Sequence, residues 1–319
     1  MKDPRAVPKK PRGKRTNLLK VLFENLQHAF ARGKGCKKHE DKQANGGKPP
    51  LDKIYTHTTL KTYKRALRCF IRFVKATGQR FHSLEEIKFL LEPFVAYMIA
   101  ENFSAWTIAT YTCGVCKALG ISSAGIRKPS CRIEDIKRSR EHGNEDYVRS
   151  KAEVHRKLVL FCLCVGPRKN KELRFVCGSH LRIRDGVPYI YIPKGKNGQT
   201  RHARIIGSER EIQVIIQMCR EAGNELLFRK IPSDLDVHAL RALYACRVYL
   251  AFARAPAQLP ESESFRCRGV RKGQIADMTA MRISAESLGH HRVGVIDDHY
   301  FWPLEAVKAI DFSFLVEEI

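Results

Sequence analysis

Five polar features stand out along the second half of a 319-residue chain, in the order Arg168, Lys196, His238 with Arg241, His290 and Tyr300. Two arginines can hold both nonbridging oxygens of a phosphodiester and stabilise the charge gained in its transition state. A tyrosine hydroxyl can attack such a phosphorus and keep the bond energy in a covalent ester. His238-Ala-Leu-Arg241 stands at the start of a long helical pattern, where a spacing of three puts both side chains on one face. Each residue has a duller explanation: a half-buried core tyrosine, a histidine capping a helix end, a lysine in a solvated turn, an arginine in a salt bridge. It is their joint order, on these elements, that points to phosphoryl chemistry.

The elements that must position these residues are mainly helices. Leu60, Tyr63, Leu67, Phe70, Ile71 and Val74 fall on one helical stripe, with Lys61, Lys64, Arg65, Arg68, Arg72 and Lys75 around it, and Gly78 ends that helix. Ser83 and Glu86 form a capping box for the next helix, Pro93 restarts it, and Ser104 caps a third. Residues 138–149 have no apolar period and read as an exposed connector, followed by a capping box at Ser150 and Glu153. An apolar helix through Phe161 then leads to three predicted strands, His180 to Ile183, Pro188 to Ile192 and Thr200 to Ile206. Asp185-Gly186 and Asn197-Gly198 are the hairpin turns between them, and Lys196 enters the second turn. Helices from Ser208 to Ala222 and from Asp236 to about Ala253 follow, then a polar, Arg-rich stretch from Ala255 to Gly273 before the last helices.

Composition restricts the partners. There are 58 Lys and Arg against 33 Asp and Glu, a net charge of +25, and nucleic acid is the polyanion such an excess most often serves. Acidic membranes or ribosomal RNA would also fit. No apolar run approaches a membrane span, and Met1 to Arg15 lacks the apolar segment of a signal peptide, so a cytoplasmic, nucleoid-associated protein is expected. Eleven scattered cysteines suggest reduced thiols. Cys113 and Cys116 make the single CxxC, but no second ligand pair stands at zinc spacing, so no metal site is expected. Residues 1–50 are expected to be a basic, partly disordered arm with one helix from Asn17 to Arg32, either a DNA-gripping arm or solvated tail. The cations around the helix from Thr59 are open to the same two readings.

Several of these segments carry a family resemblance. Leu288-Gly289-His290 followed by Tyr300 resembles the LGH box and nucleophile of the tyrosine recombinases, and the run LGHHRVGVIDDHYFW is most similar to integrases of phages and conjugative elements. His238-Ala-Leu-Arg241 resembles that family's HxxR box, and Gly195-Lys196-Asn197-Gly198-Gln199-Thr200-Arg201 resembles its GKGxKxR hairpin. The resemblance covers roughly residues 51 to 302. It implies a SAM-like helical core-binding domain over 51–137, a linker over 138–149, and over 150–319 an α+β catalytic domain with a small three-stranded antiparallel sheet and a C-terminal tail. It further implies that Tyr300 forms a 3′-phosphotyrosine, that Arg168 and Arg241 bind the phosphate, and that Lys196 is the general acid. His238 and His290 would bind the phosphate or help deprotonate Tyr300, with no metal, ATP or other cofactor. Lys61, Lys64, Arg65, Arg68 and Arg72 become candidate DNA contacts. The implied partners are double-stranded recombination sites, a homotetramer on paired sites, and accessory DNA-bending or directionality proteins.

Two registers stay open. The family's first arginine stands three residues before an acidic residue, whereas Arg168 stands four before Glu172 and Lys169 holds the usual offset. Gly166-Pro167-Arg168 after the apolar helix favours Arg168. His291 competes with His290, whose Leu-Gly context favours it. The apolar load of Ala306 to Ile319 must pack either on its own domain or, by the favoured reading, on a neighbouring protomer. The rival functions are a type IB topoisomerase, a catalytically degenerate recombinase-fold DNA-binding protein, and a zinc-dependent nuclease.

Overall fold

The computed structural model describes residues 17–132, 135, 140–193, 195, 200–268 and 271–317. The chain divides into two compact units, Met1–Arg132 and Ile133–Ile319.

The first unit is all helical among its described residues: α1 Leu18–Gly33, α2 Lys38–Ala44, α3 His57–Ala76, α4 Leu84–Lys88, α5 Leu91–Ala100 and α6 Ala105–Ala118. Asn17, Thr56, Ser83 and Ser104 cap α1, α3, α4 and α6 by accepting backbone N–H groups of the first turn. The stripe on α3 buries Leu60, Leu67, Phe70 and Val74 against Phe94, Met98, Ile108 and Val115. α1 belongs to this core, because Leu22, Leu26 and Ala29 are buried in it and Ala29 accepts the N–H of Ile54. That corrects the expectation of an arm reaching residue 50: a basic stretch still folds where it carries an apolar stripe. Cys116 is buried in the same core, and the Cys113 thiol accepts hydrogen bonds from Tyr63 and Ser123.

The second unit is built on the buried second half of α7 Glu145–Val165 and on α9 Val237–Phe252. From Leu158 to Val165 every residue of α7 is buried, as is every residue of α9 from Ala239 to Cys246. α7 starts at Glu145, capped by Asn144, so residues 145–149 are helix rather than connector and Ser150 lies inside it. A kink at His155 (φ −136°, ψ 40°) separates the amphipathic first half from the buried second half.

Three antiparallel strands, β1 Leu181–Arg184, β2 Val187–Ile192 and β3 Arg201–Arg204, form a meander whose inner face contributes Ile190, Ile192 and Ala203 to the core. The β1–β2 turn places Asp185 and Gly186 at φ 50° and 74°, the paired left-handed geometry of a two-residue hairpin. Most of the second turn, with Lys196, lies outside the described residues. α8 Glu209–Ala222 opens with a capping box at Ser208 and Glu211.

A second sheet, the two-stranded ribbon β4 Ser264–Arg266 and β5 Ile275–Asp277, stands where an irregular polar stretch was expected. α10 Met278–Ser287, α11 Gly294–His299 and α12 Leu304–Ala309 complete the unit. In the single chain the tail packs on its own unit. Leu315 and Val316 are buried, Arg156 donates to the Phe314 carbonyl, and the Arg149 guanidinium lies 4.0 Å from the Phe314 ring centre.

Candidate active site

Two helix C-termini aim their carbonyl groups at one spot. α7 ends at Gly166, whose left-handed φ of 59° turns the chain while its carbonyl accepts from both Arg201 and Arg241. No other residue fits there, since a Cβ would lie 2.1 Å from the Tyr244 ring. α10 ends at the Leu-Gly-His segment. Its Ser287 carbonyl accepts from Arg201, and the Leu288 carbonyl accepts from Arg168 at 3.2 Å and Arg241 at 2.7 Å. The negative ends of both helices therefore face three guanidiniums.

Glu172 completes the cluster from below. Its carboxylate accepts from Arg168 Nη1 at 2.5 Å and Arg201 Nη2 at 2.6 Å, and lies 3.8 Å from Arg241 Nη1. Burial would push this carboxyl up, but Arg201 first, then Arg241 and Arg168, hold it at about 2. Three guanidiniums against one carboxylate leave two positive charges in a largely dry site. Arg241 is 1% and Arg201 4% exposed at the side chain, while Arg168 at 19% is the member open to solvent.

Arg168, not Lys169, joins this cluster. Lys169 points elsewhere and donates to the carbonyls of Pro232, Ser233 and Leu235. The four-residue offset to Glu172 has a structural reason: residues Lys169–Leu173 form a π turn, in which the Leu173 N–H reaches the Arg168 carbonyl at 3.0 Å. The wider turn absorbs one extra residue.

Tyr300 follows α11, 5% exposed, with its hydroxyl 3.3 Å from Arg241 Nε and 3.2 Å from His290 Nε2. The ring centres of His238 and His290 lie 5.8 Å and 5.6 Å from that of Tyr300. His291 is exposed and lines the neighbouring cleft, so His290 holds the position beside the phenol. The backbone around Tyr300 is also held: the buried Cys246 thiol donates to the Tyr300 carbonyl at 3.3 Å, and Phe301 packs edge-on to Tyr249.

At the other end of α9, Asp236 accepts the N–H groups of His238 and Ala239. Its second carboxylate oxygen lies 3.1 Å from His142 Nδ1, and His142 stacks on Tyr147 at 4.3 Å. The first turn carrying His238 and Arg241 is thereby fixed.

Of the sequence-predicted site residues, Arg168, His238, Arg241, His290 and Tyr300 come together here; Lys196 lies outside the described residues. Sequence reasoning missed Arg201 and Glu172 as members. Arg201 was visible as the last residue of the hairpin motif, and Glu172 as the acid after the first arginine. The DNA-contact candidates belong to the first unit. Lys61, Arg65, Arg68 and Arg72 are exposed on α3, Lys64 is half-buried, and none is in an ion pair among the described residues.

No family model matches the sequence, and no curated protein sequence does. Among solved structures the chain is similar to the XerH site-specific recombinase bound to palindromic difH substrate in a post-cleavage complex, with 13% identity and a TM-score of 0.52 over 92% of this chain and 93% of that one. The pre-cleavage complex of XerH with difH gives 14% identity and a TM-score of 0.48 over 92% and 94%. The XerA recombinase gives 12% and 0.30 over 94% and 96%. Helical first unit, mainly helical second unit and three-stranded antiparallel sheet together make this the tyrosine-recombinase fold.

Proposed function

We propose that the protein is a site-specific DNA recombinase that cleaves and rejoins strands through Tyr300. The observation that carries this reading is the phenol hydroxyl held between Arg241 and His290, at 3.3 and 3.2 Å, beside an arginine cluster with a surplus of positive charge. A phosphodiester is the substrate whose charge suits that surplus and whose transition state gains more.

In this reading Arg168 and Arg241 bind the nonbridging oxygens, and Tyr300 Oη attacks phosphorus. The Oη–P bond forms as the bond to the 5′-oxygen breaks, leaving a 3′-phosphotyrosine and a 5′-hydroxyl. His290 takes or shares the phenol proton, and Lys196, by family resemblance, gives a proton to the leaving oxygen. Attack by a different 5′-hydroxyl reverses the step and joins new strands, with no metal or ATP. Glu172 holds the two phosphate-binding arginines, and Arg201 in turn pins Glu172 and the helix-end carbonyls of Gly166 and Ser287.

The α3 cations support duplex binding by the first unit, and exchange between two duplexes calls for several protomers, a tetramer on paired sites. The finer assignment, an integrase of a mobile element, rests on the stretch around His290 and Tyr300.

The test is a nicked suicide duplex carrying the recombination site, on which the released strand diffuses away and traps the covalent complex. Wild type should accumulate an adduct that resists denaturation. Tyr300→Phe should bind the same duplex and give none. Equal adduct from the variant would overturn the reading.

A further inference from the structure

Strand pairing sorts the side chains of the three-stranded sheet into two unlike faces. In register, Arg182 stands opposite Tyr189 and Tyr189 opposite Arg204, while Tyr191 stands opposite His202. Because alternate residues share a face, these five and Arg184 lie opposite the buried Ile190, Ile192 and Ala203. The outer face of these strands thus carries arginine, tyrosine and histidine, with Val187 opposite Arg184 at its edge and no carboxylate on it. A merely solvated sheet face mixes both signs of charge, because like charges on neighbouring strands repel.

Here the cations are left facing one another. Arg184 Nη2 lies 2.9 Å from His202 Nε2, an arrangement that needs the imidazole neutral, and no carboxylate pairs with Arg182, Arg184 or Arg204 among the described residues. Burial first, then Arg184 and Arg182, hold His202 below the usual histidine range. The tyrosines lie beside the guanidiniums: Arg182 is 5.7 Å from the Tyr191 ring centre and Arg204 is 5.9 Å from that of Tyr189. Cations interleaved with aromatic rings are a nucleic-acid surface in composition.

The face also leads somewhere. A cleft of about 570 Å³ is lined by Arg184, His202 and Arg204 of the sheet together with Arg201, His290 and His291. His290 is the residue beside the Tyr300 hydroxyl. Asp185 and Glu286 are the two carboxylates that line the cleft, outnumbered by its arginines. An anion following this path from the active site would meet the sheet's cations next.

We propose that the outer face of β1–β3 is a binding surface for the phosphates of duplex DNA flanking the one that Tyr300 attacks. This rests on the strand-transfer reading of the site. The bound backbone neutralises the face, so its charge repulsion is relieved only on DNA.

The test compares the full chain with Arg182→Gln/Arg184→Gln, and with Arg210→Gln/Arg220→Gln, which removes the same charge from exposed positions on α8. Binding to a short duplex of random sequence is measured as log Kd against log salt concentration. Each phosphate that is no longer neutralised should flatten the slope by about 0.9, so the face variant should lose about 2 and the α8 variant nothing. Circular dichroism melts of all three proteins guard against unfolding, and Arg184→Lys, which keeps the charge, should keep the slope. An unchanged slope in a folded face variant, or an equal change in the α8 variant, would overturn the proposal. Binding needs no cleavage, so this result is separate from the Tyr300 trap: absence of any adduct from wild type would sink the strand-transfer reading instead.

Discussion

The two units differ in where their charge lies, outside the core in the first and also deep inside it in the second. In the first, the cations of α3 stand outside a core in which Thr112 is the one buried polar residue among those described, its hydroxyl satisfied by the Ile108 carbonyl of its own helix. In the second, Glu172, Arg201, Glu211, Arg241 and Asp277 are all buried. Surface cations attract a polyanion over several ångströms, are screened by salt and need no fixed geometry. Buried cations lose their hydration, and they are tolerable only because helix ends and carboxylates hold them in place. The buried charges of the second unit are thereby fixed in orientation, as the surface cations of the first are not.

Substitutions should divide along the same line. The largest effect should come from Arg241→Ala, which removes a guanidinium that touches the Tyr300 hydroxyl: cleavage should fall by roughly 100- to 1,000-fold while duplex binding changes little. A loss confined to affinity would put Arg241 with the surface cations and erase the contrast.

Glu172→Gln comes next, leaving three guanidiniums without their shared carboxylate. A carboxyl lowered from 4.5 to about 2 contributes stability that is fully present above its unfolded value and is lost as pH falls through its folded one. In urea unfolding at pH 7 the variant should be less stable by about 3 kcal/mol, and that gap should shrink by roughly half as pH falls to about 3. A gap that does not change with pH would mean that the carboxylate charge is not what holds the cluster.

Lys61→Gln with Arg65→Gln should do the reverse: no change in melting, but a salt dependence of duplex binding shallower by about 0.9 for each phosphate these cations neutralise in the wild type. An unaltered slope would leave the α3 cations as solvated surface. The smallest effect belongs to Cys246→Ala, which deletes the thiol donor to the Tyr300 carbonyl, a hydrogen bond worth about 0.5–1 kcal/mol. Cleavage should slow a few-fold, and Cys246→Ser, which keeps a donor, should restore it. If serine fails where alanine fails, the thiol only fills space.

The catalytic constellation was legible where local chemistry and motif coincide. His238 and Arg241 share a face because a helix forces it, and Leu288-Gly289-His290 ends a helix as a glycine should. The Arg168 register was ambiguous because a π turn cannot be read from spacing; it leaves a one-residue surplus that looks like a mismatch. Glu172 and Arg201 were overlooked because their partners come from α7's end, β3 and α10, which are far apart in sequence. The N-terminal helix was legible as a helix, but the basic composition around it hid that Leu22, Leu26 and Ala29 join the core of the first unit. The ribbon of β4 and β5 has three-residue strands, too short for alternation to show. The C-terminal tail displayed its apolar load plainly, but sequence cannot say which surface covers it.

In the proposed reaction one phenol of the second unit becomes the covalent link to DNA, and its position can be read by digesting the trapped adduct and locating the nucleotide-bearing peptide by mass spectrometry. A phosphodiester is expected on Tyr300, in the segment that runs from His290 through Trp302. A nucleotide on any other residue, or an adduct that persists in Tyr300→Phe, would contradict it.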